Sequence, residues 1–228
     1  MCLFPTLIAN PKYKSTKKNG GVIPAISDER VKMVPIGCEQ CIECRGQKTR
    51  NWLTRLMEDI KYNKDAQFVT LTFSNESIKE LVTDIPNELT GYDRDNAIAT
   101  LANRRFLERW RKHNGKSVRH WLVTELGHNG TENIHMHGLI WTPDKREINK
   151  RWEYGFTWIG DYVNEQTIWY IVKYIHKKDV KHRYFVPDIL TSSGIGAGYI
   201  GSQASRMHKF NGQDTIDYYT TSQGFAIS

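Results

Sequence analysis

Two strand-like stretches joined by a short, turn-rich connection constrain the fold more than any other feature of the sequence. Residues 118–126 and 134–141 each have the composition of a β-strand. The connection between them, Gly127-His-Asn-Gly-Thr-Glu-Asn133, is rich in residues that favour turns. The two strands are therefore expected to form a hairpin, which makes at least part of the sheet antiparallel.

The other predicted elements place helices around this hairpin. In chain order they are an irregular arm over 10–37, a helix over 43–62, a strand over 68–73, a loop over 82–94, a helix over 95–113, a strand over 156–163 and a helix over 165–178. This order predicts an α+β fold with a central antiparallel sheet and flanking helices. Residues 66–228 are expected to form the globular core. Residues 1–65 are expected to supply an arm, a cysteine motif and a helix that packs on that core.

Composition limits the classes of partner. No apolar run approaches the ~18 residues of a membrane helix, and the N-terminus lacks the pattern of a signal peptide. A cytosolic protein with reduced thiols and no membrane contact is expected. The net charge of +7 favours polyanionic partners. The candidate DNA-binding residues are Arg104, Arg105, Arg109, Arg111, Lys112 and Lys178. An ordinary solvated basic face is the alternative for these side chains.

The His135-Met-His137 motif predicts two metal ligands. Side chains alternate across a strand, so both histidines point to one face while Met136 points into packing. Glu125, near the end of the preceding strand, is the best candidate for a third ligand, because an unpaired buried carboxylate is costly. Mixed nitrogen and oxygen ligands suit Mg²⁺ or Mn²⁺ and do not exclude Zn²⁺. The alternative is that the two histidines are structural.

The predicted C-terminal helix carries two tyrosines and two lysines on one side. At about 100° per residue, Tyr170, Lys173, Tyr174 and Lys177 fall within an arc of roughly 100°, opposite the aliphatic residues. A phenol is a poor nucleophile at neutral pH, and a neighbouring ammonium favours its ionised form. Two adjacent tyrosines permit two successive transesterifications, the first producing a 5′-phosphotyrosine and a free 3′-OH. An amphipathic helix with boundary tyrosines and solvated lysines is the alternative.

A third motif, Cys38-x-x-Cys41-x-x-Cys44, has the spacing of metal ligands. Cys2 could supply a fourth thiolate for a structural Zn²⁺ ion. Packing of the cysteines at a helix N-terminus is the competing interpretation.

The chain resembles the HUH endonucleases, in which two histidines flank a hydrophobic residue. More narrowly, it resembles the replication initiators of the gokushovirus type of Microviridae. The segments that carry the resemblance are 37–45, Trp52, Arg55, Glu58, 68–73, Glu125, 135–138, 170–178 and 193–196. The resemblance implies the HUH fold, a variant of the RRM/ferredoxin-like sheet, with the metal residues and the tyrosine helix on one sheet face. It also implies metal ligation by Glu125, His135 and His137, nucleophile roles for Tyr170 and Tyr174, and assistance from Lys173.

This family nicks one strand of a circular phage genome at its origin and later recircularises the displaced strand. The resemblance therefore implies single-stranded origin DNA and the host polymerase and helicase as partners, in the cytoplasm of an infected bacterium. The chain departs from the family pattern at Glu125-Leu-Gly and ends earlier than is usual for the family. A truncated chain, or a short relative without a C-terminal helical part, is expected.

Two other functions fit parts of the sequence. A transposase or relaxase with the same chemistry would act on a different DNA end. The double tyrosine and the cysteine motif argue against a single-tyrosine transposase. A non-catalytic single-stranded nucleic-acid-binding module explains the basic charge. That function leaves the grouped glutamate, histidines, tyrosines and lysines without a role.

Overall fold

The computed structural model of the protein describes residues 2–127, 132–177, 180–207, 219–220 and 226–227. It divides the chain into two compact units, Met1–Lys48 and Thr49–Ser228. The division between residues 1–65 and 66–228 expected from the sequence stays a prediction.

The N-terminal unit contains one small antiparallel sheet. Strand β1 (Thr6–Ala9) pairs with β2 (Met33–Ile36), and three short 3₁₀ helices lie between them. The prediction of a wholly irregular arm was wrong at β2, which falls inside it. Helix α1 (Ile42–Tyr62) begins in this unit and was predicted to within one residue.

The second unit is built on a five-stranded sheet in the order β6-β3-β5-β4-β7, in which every pair of neighbours is antiparallel. The strands are β3 (Ala66–Leu71), β4 (Arg119–Leu126), β5 (Ile134–Trp141), β6 (Thr157–Ile159) and β7 (Ile189–Thr191). The predicted hairpin of β4 and β5 is confirmed, with a register that sets Glu125 opposite His135. The predicted strand over 156–163 is shorter than expected, and the edge strand β7 was not predicted.

The helices of this unit differ from expectation at several boundaries. They are α2 (Asn75–Val82), α3 (Gly91–Asn114), α4 (Arg146–Arg151), α5 (Glu165–Val172) and α6 (Gln203–Met207), and two further short strands are β8 (Tyr219–Thr220) and β9 (Ala226–Ile227). The helix expected to begin at Asp95 begins four residues earlier, after Thr90. The helix expected over 165–178 ends its α-helical part at Val172 and continues as a 3₁₀ turn over Lys173–Ile175.

Together these elements form an α+β fold in which helices cover both faces of the sheet. Leu122, Met136 and Ile140 belong to the core that α2, α3 and α4 cover. Trp121 and Leu139 belong to the other core, which α1 and α5 cover. Among the helices in the described part of the chain, none has both the length and the hydropathy that a bilayer span requires.

Gly138 allows strands β4 and β5 to approach each other closely. A Cβ atom at this position would lie 2.0 Å from the carbonyl oxygen of Trp121. We expect Gly138→Ala to destabilise the fold by about 3 kcal/mol or more, because the backbone must shift to relieve the overlap. Urea denaturation measures this change. Gly198→Ala is the control, since its nearest neighbour would lie 3.7 Å away. Equal stabilities of the two variants would contradict the expectation.

Candidate metal and tyrosine site

Glu125, His135 and His137 converge on one face of the β4–β5 hairpin. The Nε2 atoms of His135 and His137 lie 3.2 Å and 2.9 Å from Oε2 of Glu125. One ligand atom from each residue lies within 4.8 Å of the other two, and all three side chains are largely shielded from solvent. The structure therefore brings together the three residues that the sequence singled out as metal ligands.

The outer ring nitrogens of both histidines are held by neighbouring groups. Nδ1 of His135 lies 3.3 Å from the carbonyl oxygen of Asn133, which can only accept a hydrogen bond. Nδ1 of His137 lies 2.9 Å from the hydroxyl of Thr70 on β3. Both nitrogens of His135 thus face acceptors, so a proton or a metal ion must lie between its Nε2 and Glu125. Partners of this kind orient ligand histidines in metal sites.

The carboxylate of Glu125 is charged in this arrangement. Burial pushes its pKa upward, but hydrogen bonds from His135, His137 and Lys177 outweigh burial and hold the pKa below its usual range. Lys177 forms an ion pair with Oε1, on the side of the carboxylate away from the histidines. Burial also lowers the pKa of His137, which favours the neutral imidazole that binds metals. The sequence had grouped Lys177 with the tyrosines.

Tyr174 connects the tyrosine helix to the histidines. Its ring stacks on that of His137, with centroids 4.3 Å apart and an interplanar angle of 9°. The 3₁₀ turn after α5 directs this ring toward the sheet, so Tyr174 is buried instead of lying on a polar face. Burial raises the pKa of Tyr174, and its hydrogen bond with Tyr170 raises it further. Tyr174 is therefore a neutral phenol in this conformation.

Tyr170 presents the accessible hydroxyl of the pair. Its side chain is 44% exposed, whereas that of Tyr174 is 6% exposed. The Tyr174 hydroxyl donates a hydrogen bond of 2.7 Å to the Tyr170 oxygen. The Lys173 ammonium lies 3.7 Å from the centroid of the Tyr170 ring. Tyr170 thus combines exposure, a donated hydrogen bond and an adjacent cation.

The basic residues predicted on α3 lie on the opposite side of the sheet from this site, because α3 covers the other core. Arg105 is hydrogen-bonded to Asp84, and Arg109 to the carbonyl of Arg151 and the hydroxyl of Tyr154. Three other basic residues of this helix are exposed: Arg104, Arg111 and Lys112. A role for this group in DNA binding stays a prediction. Lys178 lies outside the described residues.

Several neighbours of the site were missed from sequence. Thr70 and Asn133 orient the histidines through contacts that depend on strand register. Phe68 and Trp158 extend the aromatic row from Tyr170, with ring centroids 5.8 Å and 5.3 Å apart along the row. No local motif marks these residues. Their partners lie from dozens to about a hundred positions away in the chain, except that of Asn133.

Comparison with known proteins places this geometry in a family context. The model of the replication-associated protein ORF2 family matches residues 66–179, half of the chain. The replication-associated protein ORF2 of Spiroplasma virus 4 is 29% identical over 196 residues, which are 76% of this chain and 59% of that protein. This chain thus spans about three fifths of that relative. The catalytic domain of the adeno-associated virus type 5 Rep protein aligns over 67% of this chain and 83% of its own, with 17% identity and a TM-score of 0.26.

Proposed function

Because the chain belongs to the replication-associated protein ORF2 family, we propose that it nicks single-stranded origin DNA to begin rolling-circle replication. The observation that carries this proposal is the exposed Tyr170 hydroxyl, joined through Tyr174 to the cluster of Glu125, His135 and His137. The finer assignment, to the gokushovirus type of Microviridae, rests on the motifs of the sequence.

The proposed chemistry is a transesterification that conserves one phosphodiester bond. The Tyr170 oxygen attacks a backbone phosphorus and its proton passes to solvent. The bond from phosphorus to the 3′ oxygen breaks, and that oxygen takes up a proton to become a free 3′-OH. The 5′ phosphate remains joined to tyrosine, so no ATP is required. Tyr174 would cleave the regenerated origin in the same way, and the 3′-OH released there would attack the first phosphotyrosine and close the circle.

The donor set of the cluster fits a divalent cation. Two imidazole nitrogens and one carboxylate oxygen would hold Mg²⁺ or Mn²⁺ and leave positions for water and phosphate oxygens. When bound, the ion supplies Lewis-acid polarisation of the scissile phosphate. The chain's own residues do the rest: Thr70 and Asn133 hold the histidines in place, and Lys173 adds positive charge beside Tyr170.

The proposal extends to the setting of the reaction. The substrate is the origin of a circular phage genome, and the free 3′-OH is extended by the polymerase of the host with the help of its helicase. This takes place in the cytoplasm of the infected bacterium.

A covalent-adduct assay tests the proposal. The protein is incubated with Mn²⁺ and oligonucleotides that tile the encoding genome, labelled in separate samples at the 5′ or the 3′ end. We expect one oligonucleotide to give a denaturation-resistant complex that keeps the 3′ label only. A complex that keeps the 5′ label would reverse the proposed polarity. Tight binding without any adduct would support a non-catalytic binding module.

Thr70 offers a test of how the site holds its ion. We expect Thr70→Val to weaken Mn²⁺ binding by about 10–100-fold, because the hydrogen bond that orients His137 is lost. Electron paramagnetic resonance of free Mn²⁺ measures this affinity. Thr72→Val is the control, since the Thr72 hydroxyl binds the carbonyl of Phe156 at 2.8 Å, away from the cluster. Equal affinities of the two variants would show that Thr70 does not orient the ligand.

A further inference from the structure

We propose that Cys2, Cys38, Cys41 and Cys44 bind one structural Zn²⁺ ion within the N-terminal unit. Their four sulfur atoms lie within 4.8 Å of one another, although Cys2 is far from the others in sequence. None of the four forms a disulfide. A zinc–sulfur bond length of about 2.3 Å places tetrahedral ligands roughly 3.8 Å apart. The Cys2 and Cys41 sulfurs are separated by 3.9 Å.

The backbone supports charged sulfur atoms at this place. The amide of Cys38 donates to Sγ of Cys2 at 3.3 Å, and the amide of Cys41 donates to Sγ of Cys38 at 3.3 Å. The amide of Cys44 donates to Sγ of Cys41 at 3.5 Å. Hydrogen bonds from amides to ligand atoms are the usual outer contacts of a metal site.

The turn that carries the cysteines is sterically specified. Glu39 adopts a left-handed conformation with φ of 59°, which is uncommon for a residue other than glycine. A Cβ atom on Gly37 would lie 2.9 Å from the sulfur of Cys44. Such a conformation persists where the surroundings over-determine it, as four ligands around one ion would.

The N-terminal unit lacks another source of stability among its described residues. Of the described side chains in residues 2–48, only those of Cys41 and Arg45 are buried. Its large apolar side chains are exposed, among them Phe4 at 71% and Leu7 at 63%. Units of this size without an apolar core usually require a metal or disulfides. A Cys₄ zinc centre contributes folding free energy directly.

Metal analysis of the full chain tests this site. We expect about one zinc per chain after purification without chelator and exchange into Mg²⁺ buffer, as a closed Cys₄ site would retain. Cys41→Ser should lose this zinc, and the double variant His135→Ala/His137→Ala should keep it. Replacement by Co²⁺ should produce a thiolate-to-cobalt charge-transfer band. Substoichiometric zinc with four reactive thiols would overturn the proposal, as would zinc that follows the histidines.

A measurement on the unaltered chain covers the case in which Cys41→Ser fails to fold. A zinc chelator should accelerate proteolytic cleavage within residues 2–48, and added zinc should reverse the effect. Cleavage rates that do not respond to the chelator would contradict a structural role for the ion.

We also infer, on the basis of the proposed function, that a groove beside Tyr170 stacks an unpaired base of the substrate. The groove has a volume of about 540 Å³. Trp158, Tyr162 and Tyr170 line it with side chains that are 48%, 73% and 44% exposed. Phe68 packs edge-on against both Trp158 and Tyr170 and so fixes the row.

The position of this groove selects single-stranded DNA as its occupant. Tyr170 both lines the groove and offers the proposed nucleophile, so a chain whose phosphate reaches that hydroxyl must pass the aromatic rings. Stacking on exposed aromatic rings is the usual way to hold unpaired bases without sequence preference. Gln166 and Thr167 add polar groups at the rim, and the Lys173 ammonium lies over the Tyr170 ring.

Binding measured without catalysis separates this inference from the nicking chemistry. In a Tyr170→Phe background without divalent ions, Trp158→Ala should weaken single-stranded DNA binding by about 5–150-fold, the range for loss of one stacked base. Trp169→Ala is the control, because Trp169 is 42% exposed on the same helix as Tyr170 but does not line the groove. Fluorescence anisotropy measures both affinities.

An abasic scan identifies stacking itself. One abasic position in the oligonucleotide should weaken binding to the parent chain but not to the Trp158→Ala variant. Affinities within twofold for Trp158→Ala, Tyr162→Ala and Trp169→Ala would overturn the groove, even if nicking is observed. Loss of binding in Trp158→Ala with no adduct from the wild-type chain would uphold the groove and overturn the nicking proposal.

Discussion

Replacing Tyr170 with phenylalanine is expected to abolish the covalent protein–DNA adduct on fresh substrate, a loss on the order of a thousandfold or more. The phenylalanine ring keeps the packing against Phe68 but has no oxygen to attack phosphorus. Denaturing electrophoresis of the labelled adduct after a single turnover measures the effect.

Tyr174→Phe is the matched variant for this experiment and should behave differently. It removes the hydrogen bond donated to the Tyr170 oxygen but leaves the accessible hydroxyl in place. We expect first-strand nicking to fall by a factor of about ten or less, as for the loss of one hydrogen bond. Closure of the circle, which needs the second tyrosine, should be lost. Adduct formation by Tyr170→Phe at the wild-type rate would show that Tyr174 attacks first.

Loss of a cluster ligand is expected to have the second-largest effect. Glu125→Ala and His137→Ala should each lower the nicking rate by about 10²–10³-fold, because a bound cation contributes several kcal/mol to stabilisation of the transition state. Both variants should also lose Mn²⁺ binding in paramagnetic resonance titrations. Removal of divalent ions from the wild-type chain should produce the same loss of rate, and added Mn²⁺ should restore it.

The control for the cluster is His113→Ala. His113 lies on α3 with an exposed side chain, so this substitution removes an imidazole without touching the sheet. Unchanged Mn²⁺ affinity in Glu125→Ala and His137→Ala would refute the ligand assignment. A loss of nicking with unchanged Mn²⁺ affinity would assign these residues to substrate positioning instead.

The hairpin was predictable because its information is local. Strand composition and the turn-rich connection between Leu126 and Ile134 predicted the pairing of β4 and β5, and the register then followed from the opposition of Glu125 and His135. The three-residue edge strand β7 escaped prediction because its residues are paired to β4 by the fold and not by any neighbour in sequence.

The tyrosine pair was predictable only in part. Helical spacing correctly placed Tyr170 and Tyr174 side by side and the aliphatic residues in the core, as Ile168 and Ile171 show. That arithmetic assumed an α-helix throughout, and the 3₁₀ turn over Lys173–Ile175 rotates Tyr174 inward. Its burial depends on His137, a tertiary partner that no helical wheel contains.

The hydrogen bond between the two tyrosines has a consequence for the order of events. The Tyr174 hydroxyl has one proton and gives it to the Tyr170 oxygen. Under the proposed chemistry, that oxygen becomes the bridging atom of an aryl phosphate ester, which is a much weaker acceptor than a free phenol. The second tyrosine would thus be retained while the first is unused and released once the first has reacted. A single shared proton would let the pair record whether one strand has already been cut.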